Sequence, residues 1–215
     1  MKNLCLDIGN VLIKVNFDEL INSFSHLNLT KEEGREFIYD IQKYQDLGIT
    51  TFDKEIEKKY KESLSAGFYK KPSNDNLKQI SALFLKLWNE STLFPNVNVI
   101  SRFYELSEKY GIKIALLSNI GLNHAEIIGN KLGAKFYDSC VKHFSCFVGA
   151  RKSTDLYYQS FLMRRPEFQG AVYVDDLSEN LIAGESFGFS TYQMDLSQNP
   201  DIDKCFKDIE NMIIE

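Results

Sequence analysis

Two apolar runs in this sequence end on acids. Asp7 closes Leu4-Cys5-Leu6 and is followed by Ile8 and Gly9, while Asp175 and Asp176 close Ala171-Val172-Tyr173-Val174. A short continuous apolar run reads as a strand buried on both faces, so each acid is delivered to a loop at a strand's carboxyl end. Adjacent carboxylates leaving a buried strand repel one another unless a cation, protons or hydrogen-bond donors compensate. Magnesium fits that need, since it takes carboxylate and carbonyl oxygens, keeps some water and neutralises phosphate charge. Asp7 is the candidate nucleophile. Taken alone it is equally well read as an acceptor for loop backbone hydrogen bonds; the acidic pair tips the balance.

Two further positions can serve the same chemistry. Ile114-Ala115-Leu116-Leu117 reads as another buried strand and delivers Ser118 and Asn119, which can donate to phosphate oxygens. A Ser-Asn pair is also an ordinary turn or helix-cap signal. Lys152 offers an ammonium that can hold a phosphoryl group and the nucleophilic carboxylate while charge develops, although a Lys beside an Arg is more often solvated surface.

The elements that must position these residues follow from periodicity. Gly9 permits a tight loop after the first strand. From Phe17 to Trp88 apolar residues recur at helical intervals, as in Leu77-Ile80-Leu83-Phe84-Leu87, a helix starting near Ser73 and Asn74 after Pro72. Beyond it, strand and helix signals alternate. Val97 to Lys109 is a helix ended by Gly111, a helix lies around Ala125 to Leu132, a weaker strand lies within Cys140 to Phe147, and a helix spans Ser153 to Leu162. Leu181 to Phe187 is a short helix, Ser190 to Met194 the last strand and Ile202 to Ile213 a closing helix. Such alternation implies an α/β fold, a Rossmann-like mostly parallel sheet with helices on both faces and a ligand site beyond the strands' carboxyl ends. Residues 1–16 and 92–215 form the expected core, and 17–91 an inserted helical cap.

Composition excludes some classes. The 215 residues carry a net charge of -5 with no broad basic field, which argues against nucleic acid as a partner. No apolar run reaches membrane-spanning length, so no membrane partner is expected. The four cysteines show no metal-ligand spacing, and the apolar stretch at the amino terminus is broken by Asp7, so a reducing cytoplasm is the expected compartment.

Asp7-Ile8-Gly9-Asn10-Val11-Leu12, Leu117-Ser118-Asn119, Lys152 and Val174-Asp175-Asp176 together resemble the four motifs of the haloacid-dehalogenase-like (HAD) superfamily. They resemble especially its phosphatase branch with a small helical cap, some members of which act on sugar phosphates. The resemblance spans almost the whole chain and implies magnesium-dependent hydrolysis of a small phosphomonoester. Asp7 would form an aspartyl-phosphate. Asp7, the Gly9 backbone carbonyl and Asp175 would ligate magnesium, with Asp176 direct or through water. Ser118, Asn119 and Lys152 would surround the phosphoryl group, and Asn10 and Asn180 would support the loops.

The sequence departs from that pattern twice. Gly9 stands where many relatives carry an Asp that protonates the leaving group, and the neighbouring Asn10 does not titrate, so a solvent chain, a substrate group or a cap residue has to supply that proton. Ser153 stands where many have Pro, and is expected to cap the helix that includes Thr154 and Asp155. Two other readings stay open: a catalytically impaired protein that binds a phosphate ligand or regulates, and a 2-haloacid dehalogenase, whose relatives lack the paired acids.

The cap aromatics Phe17, Phe24, Phe37, Tyr39, Tyr44, Tyr60 and Trp88 are expected to pack a core. Lys14, His26, Arg35 and Lys43 are candidates to meet a small phosphorylated metabolite. The oligomeric state is open.

Overall fold

The computed structural model describes residues 1–27, 29–65 and 74–215, with the side chains of 26, 27, 63–65 and 74–77 outside the description. Strand β1 (Leu4–Leu6) leads through Asp7 to Asn10 into β2 (Ile13–Val15). Four helices follow: α1 (Asp18–Ser23), α2 (Lys31–Gln45), α3 (Phe52–Ser65) and α4 (Asn74–Glu90). Thr30 starts α2 with a reciprocal cap, accepting from the Glu33 amide while the Glu33 carboxylate accepts from its own. Strand β3 (Leu93–Pro95) returns antiparallel to β2, pairing Val15 with Leu93 and Ile13 with Pro95.

The rest of the chain alternates strand and helix. Helix α5 (Val97–Tyr110) is capped by the Asn96 side chain and ended by Gly111 at φ +62°, a backbone that glycine adopts without steric cost. Then come β4 (Ile114–Ser118), α6 (Leu122–Leu132), α7 (Ala134–Ser139), β5 (Val141–Phe144), α8 (Ser145–Val148) and α9 (Asp155–Arg164). The chain closes with β6 (Val172–Asp175), α10 (Ser178–Ser186), β7 (Ser190–Gln193) and α11 (Ile202–Ile214).

Five strands form one parallel sheet in the order β5-β4-β1-β6-β7. Alternate side chains of each strand enter opposite layers. Leu4, Leu6, Ile114, Leu116, Val172 and Val174 pack with Val99, Phe103, Phe206 and Ile209 of α5 and α11. Cys5, Ala115, Leu117 and Tyr173 pack with Tyr157, Tyr158 and Phe161 of α9 and Leu181 of α10. With helices on both faces, each fully buried aliphatic side chain contributes about 1.5–3 kcal/mol relative to exposure. The expected fold class is borne out.

Helices α1 to α4 bury a core of their own, including Leu20, Phe24, Ile38, Ile41, Phe52, Ile56, Tyr60, Phe84 and Trp88. Phe17 and Phe37 pack against it. Tyr39 and Tyr44 depart from expectation, being 65% and 55% exposed: they lie on the outer side of α2, whose buried stripe is Gly34, Ile38, Ile41 and Gln45. Pro72 and Ser73, the expected start of α4, lie outside the described residues, as does the His26 side chain.

The structure adds the β2–β3 ribbon and α7, and it ends the strand expected within Cys140 to Phe147 at Phe144, where α8 begins. All four cysteines are free and buried. Among the described residues no helix is long and apolar enough to cross a membrane.

Candidate active site

Register brings two of the acids together. Leu6 pairs with Val174 across β1 and β6, so the next residues, Asp7 and Asp175, leave the sheet side by side on the face that carries Cys5 and Tyr173. The Asp7 amide donates to Val174 O at 2.9 Å, which continues the ladder to the edge. Lys152, 1% exposed, lies between them, with Nζ 2.7 Å from Asp175 Oδ2, 2.9 Å from Asp7 Oδ1 and 3.3 Å from Leu117 O.

Asp175 is saturated with donors. Its Oδ2 accepts from Lys152 Nζ and the Tyr173 hydroxyl, and its Oδ1 from the Leu177 amide and Asn180 Nδ2, both at 2.9 Å. Burial alone would raise its pKa, but Lys152, Tyr173 and Asn180 hold it below the ordinary carboxylate range. The same two carboxylates overcome burial at Lys152 and raise its pKa, so the ammonium stays charged.

Asp7 is in the opposite state. Burial, with repulsion from Asp175 and Asp176, outweighs Lys152 and pushes it up to about 7. Asp176 is also raised, by burial first and by the Asp175 charge, against a hydrogen bond from Asn10. One oxygen of each of Asp7, Asp175 and Asp176 lies within 4.8 Å of the others. Two of the carboxylates hold the Lys152 ammonium and the third, Asp176, lies beside them, in an all-oxygen donor set of the kind a hard divalent cation takes.

Asn10 ties this cluster to the ribbon. Its φ of +50° lies in the left-handed region, which Asn tolerates better than most residues. Its Nδ2 donates to Asp176 Oδ2 at 3.0 Å, its Oδ1 accepts from the Val15 amide at 3.1 Å, and its carbonyl accepts from the Leu196 amide at 2.7 Å.

Ser118 is buried at the end of β4, and Asn119 Oδ1 accepts from the Lys152 amide at 2.9 Å, which fixes the lysine's loop to the second strand tip. The residue ahead of α9 is Thr154, not Ser153, and the Thr154 hydroxyl turns back to donate to Arg151 O at 2.8 Å. The capping role expected of Ser153 is therefore not seen, because the turn spends one more residue before the helix begins.

A cavity of about 90 Å³ separates this edge from the helices above it. Gly9, Ser118 and Asn119 line it from the sheet, and Phe17, Gln42, Gln45, Asp46 and Trp88 from the other side. Lys14, Arg35 and Lys43 are absent from that lining. Trp88 is clamped between Phe52 and the His124 imidazole, each with ring centroids 4.4 Å away.

Reading the sequence missed Tyr173 and Asp46. Tyr173 had a usable signal, since residues two apart on a strand share a face and Asp175 needs donors there. Asp46 had none: its partner, Arg151, whose Nη2 lies 3.2 Å from Asp46 Oδ2, is far away in sequence.

No protein-family model matches the sequence, and no match is found among curated proteins. Solved structures do match. A HAD family enzyme from Bacteroides thetaiotaomicron, in complex with magnesium and inorganic phosphate, is 20% identical with a TM-score of 0.63, covering 90% of this chain and 93% of its own. A predicted HAD-like family hydrolase from Porphyromonas gingivalis is 19% identical with a TM-score of 0.56, covering 91% of each chain. The L-2-haloacid dehalogenase of Xanthobacter autotrophicus, with chloropropionic acid covalently bound, is 14% identical with a TM-score of 0.53, covering 90% of this chain and 77% of its own. With a lysine-bridged pair of acids at the carboxyl edge of a parallel sheet, this chain has the fold of the HAD-family enzymes.

Proposed function

We propose that the protein is a HAD-family hydrolase that releases phosphate from a small phosphomonoester, with a sugar phosphate as the favoured class, through an aspartyl-phosphate on Asp7. The observation that carries this reading is the cluster of Asp7, Asp175 and Asp176, with Lys152 bridging the first two. The magnesium-and-phosphate complex of the Bacteroides enzyme supports it by analogy of fold. Magnesium would supply charge neutralisation at the phosphoryl oxygens. The residues to hold it are Asp7, Asp176 and the Gly9 carbonyl; Asp175, its oxygens already accepting four hydrogen bonds, is better suited to fixing Lys152 than to the direct ligation first expected of it.

An oxygen of Asp7 attacks phosphorus as the bond from phosphorus to the leaving-group oxygen breaks, and water then attacks the acyl-phosphate to release inorganic phosphate and restore Asp7. Lys152 stabilises the phosphoryl oxygens and orients Asp7, while Ser118 and the Asn119 amide donate at the strand tip. The narrow cavity suits a small substrate, and the Gln42 and Gln45 amides in its lining suit hydroxyl groups.

A dehalogenase also uses a loop aspartate, and one is among the similar folds. The second acid of the pair, Asp176 beside Asp175, favours phosphate, because a metal-free halide displacement has no use for the extra negative charge. A screen of small phosphorylated compounds with and without magnesium, beside chloride release from 2-haloacids, decides between them. Magnesium-dependent phosphate release, lost in Asp7→Asn, is expected. Magnesium-dependent binding without turnover would leave the impaired-binder alternative, and metal-independent chloride release would overturn the phosphatase reading.

A further inference from the structure

Gly9 leaves the reaction without the side chain that usually protonates the leaving group, and space is not the reason. A Cβ built there would meet Val15 Cγ2 at 3.6 Å and Asp7 Oδ2 at 3.9 Å, both ordinary contacts. The cavity lining holds, among the described residues, two titratable side chains, Asp46 and His124. His124 is already engaged: Nε2 donates to Trp88 O at 2.8 Å, and its ring stacks on Trp88. Burial lowers its pKa to about 4 and keeps it neutral.

We propose that Asp46, reaching the cavity from the end of α2, is the acid–base residue that Gly9 cannot be. This rests on the hydrolase reading above. Asp46 is 7% exposed and shares the cavity lining with Gly9, Ser118 and Asn119. Its place is fixed by close packing. A Cβ at Gly121 would lie 2.9 Å from Gln45 Cβ, and one at Gly48 would overlap the Cys146 carbonyl oxygen, so only glycines let the 45–48 segment settle against the sheet's loops. Beside it the Gln45 Oε1 is buried without a hydrogen-bond partner among the described residues, which leaves an acceptor for a hydroxyl of the leaving group.

The charged and titratable neighbours of Asp46 are Arg151 and Lys152 on the loop before α9, Cys146 on α8 and His124 on α6. Burial raises the Asp46 carboxyl to about 6 against the pull of Arg151 and Lys152, which suits an acid that must give and regain a proton near neutrality. In the first step the Asp46 proton passes to the departing oxygen as its bond to phosphorus breaks. In the second the Asp46 carboxylate takes a proton from the water that attacks the Asp7 acyl-phosphate.

The test compares an alkyl phosphate, whose leaving oxygen needs a proton, with an aryl phosphate, whose leaving oxygen departs well without one. Asp46→Asn is expected to lower kcat for the alkyl ester by about 10²-fold or more and for the aryl ester far less. Arg151→Gln breaks the same ion pair but keeps the carboxyl; it should preserve the wild-type ratio between the two esters and move the Asp46 limb of the pH profile upward. Equal losses on both esters in Asp46→Asn, or the same ratio change in both variants, would mean that the ion pair merely holds the structure and would overturn the assignment. Wild-type protein that hydrolyses neither ester would overturn the hydrolase reading with it.

Discussion

The sheet edge and the helices above it hold their polar groups by different means. At the edge, Asp175 accepts four hydrogen bonds and Lys152 meets three oxygens, so each group is fixed several times over. Across the cavity, close packing at Gly121 and Gly48 sets the segment, a single ion pair to Arg151 holds the Asp46 carboxylate, and Gln45 Oε1 keeps no internal partner among the described residues. Redundant hydrogen bonding suits a part that must hold charge without moving. Steric positioning leaves polar atoms available to a ligand, so the part facing the leaving group is open to change in a way the edge is not.

The largest effect should come from breaking the redundancy. Lys152→Met leaves two buried carboxylates without their ammonium and is expected to cost about 3–5 kcal/mol of stability. Urea unfolding measures it, and the loss should be smaller at pH 5, where Asp7 takes up a proton, than at pH 8. A loss independent of pH would mean that Lys152 acts through packing alone.

Asn10→Ala removes the donor that orients Asp176 and should weaken magnesium binding by about 10–100-fold, read by calorimetry. Unchanged affinity would show that Asp176 is positioned by something else.

The smallest effect, and the one that joins the two regions, is on pH dependence. Folding raises Asp7 to about 7 and Asp46 to about 6. Between about pH 4 and 7 the folded chain therefore binds more protons than the unfolded one, and its stability should fall as pH rises. Asp175 is shifted the other way, so its contribution is complete above the ordinary carboxylate range and is lost only on further acidification. Magnesium favours ionised Asp7 and should flatten the Asp7 share of the slope while leaving the Asp46 share. Thermal melts across that range, with magnesium or a chelator, separate the two; an identical slope in both would remove the cation from the account.

Much of the sheet was legible because its three central strands are continuous apolar runs and its acids sit at their ends. Asp7, Ser118, Asp175 and Asp176 follow from that pattern alone. The β2–β3 ribbon did not, since Ile13-Lys14-Val15 and Leu93-Phe94-Pro95 are too short for a period to show and their pairing is set by tertiary contact. Phe147 falls within a strand signal, yet it lies in α8, where a helical turn leads to Gly149 at φ +72°. Asp46 was illegible for a different reason: a polar residue after an amphipathic helix reads as solvated, and its burial depends on Arg151 and on two glycines that make room for its neighbours.

The β2–β3 ribbon has one more consequence. The Asn16 amide bonds the Thr92 carbonyl at 3.0 Å just beyond the paired strands, so the excursion between them leaves and returns through a single gate. Closing a flexible loop costs free energy that grows only logarithmically with its length, about 0.6 kcal/mol per doubling. Insertions, deletions or a wholesale exchange of the intervening helices can then accumulate without tugging on β1 or its acid. Selectivity, together with the proton supply from Asp46 at the end of α2, becomes evolvable apart from the nucleophile and its cation site, as a tool head is exchanged on a fixed shaft.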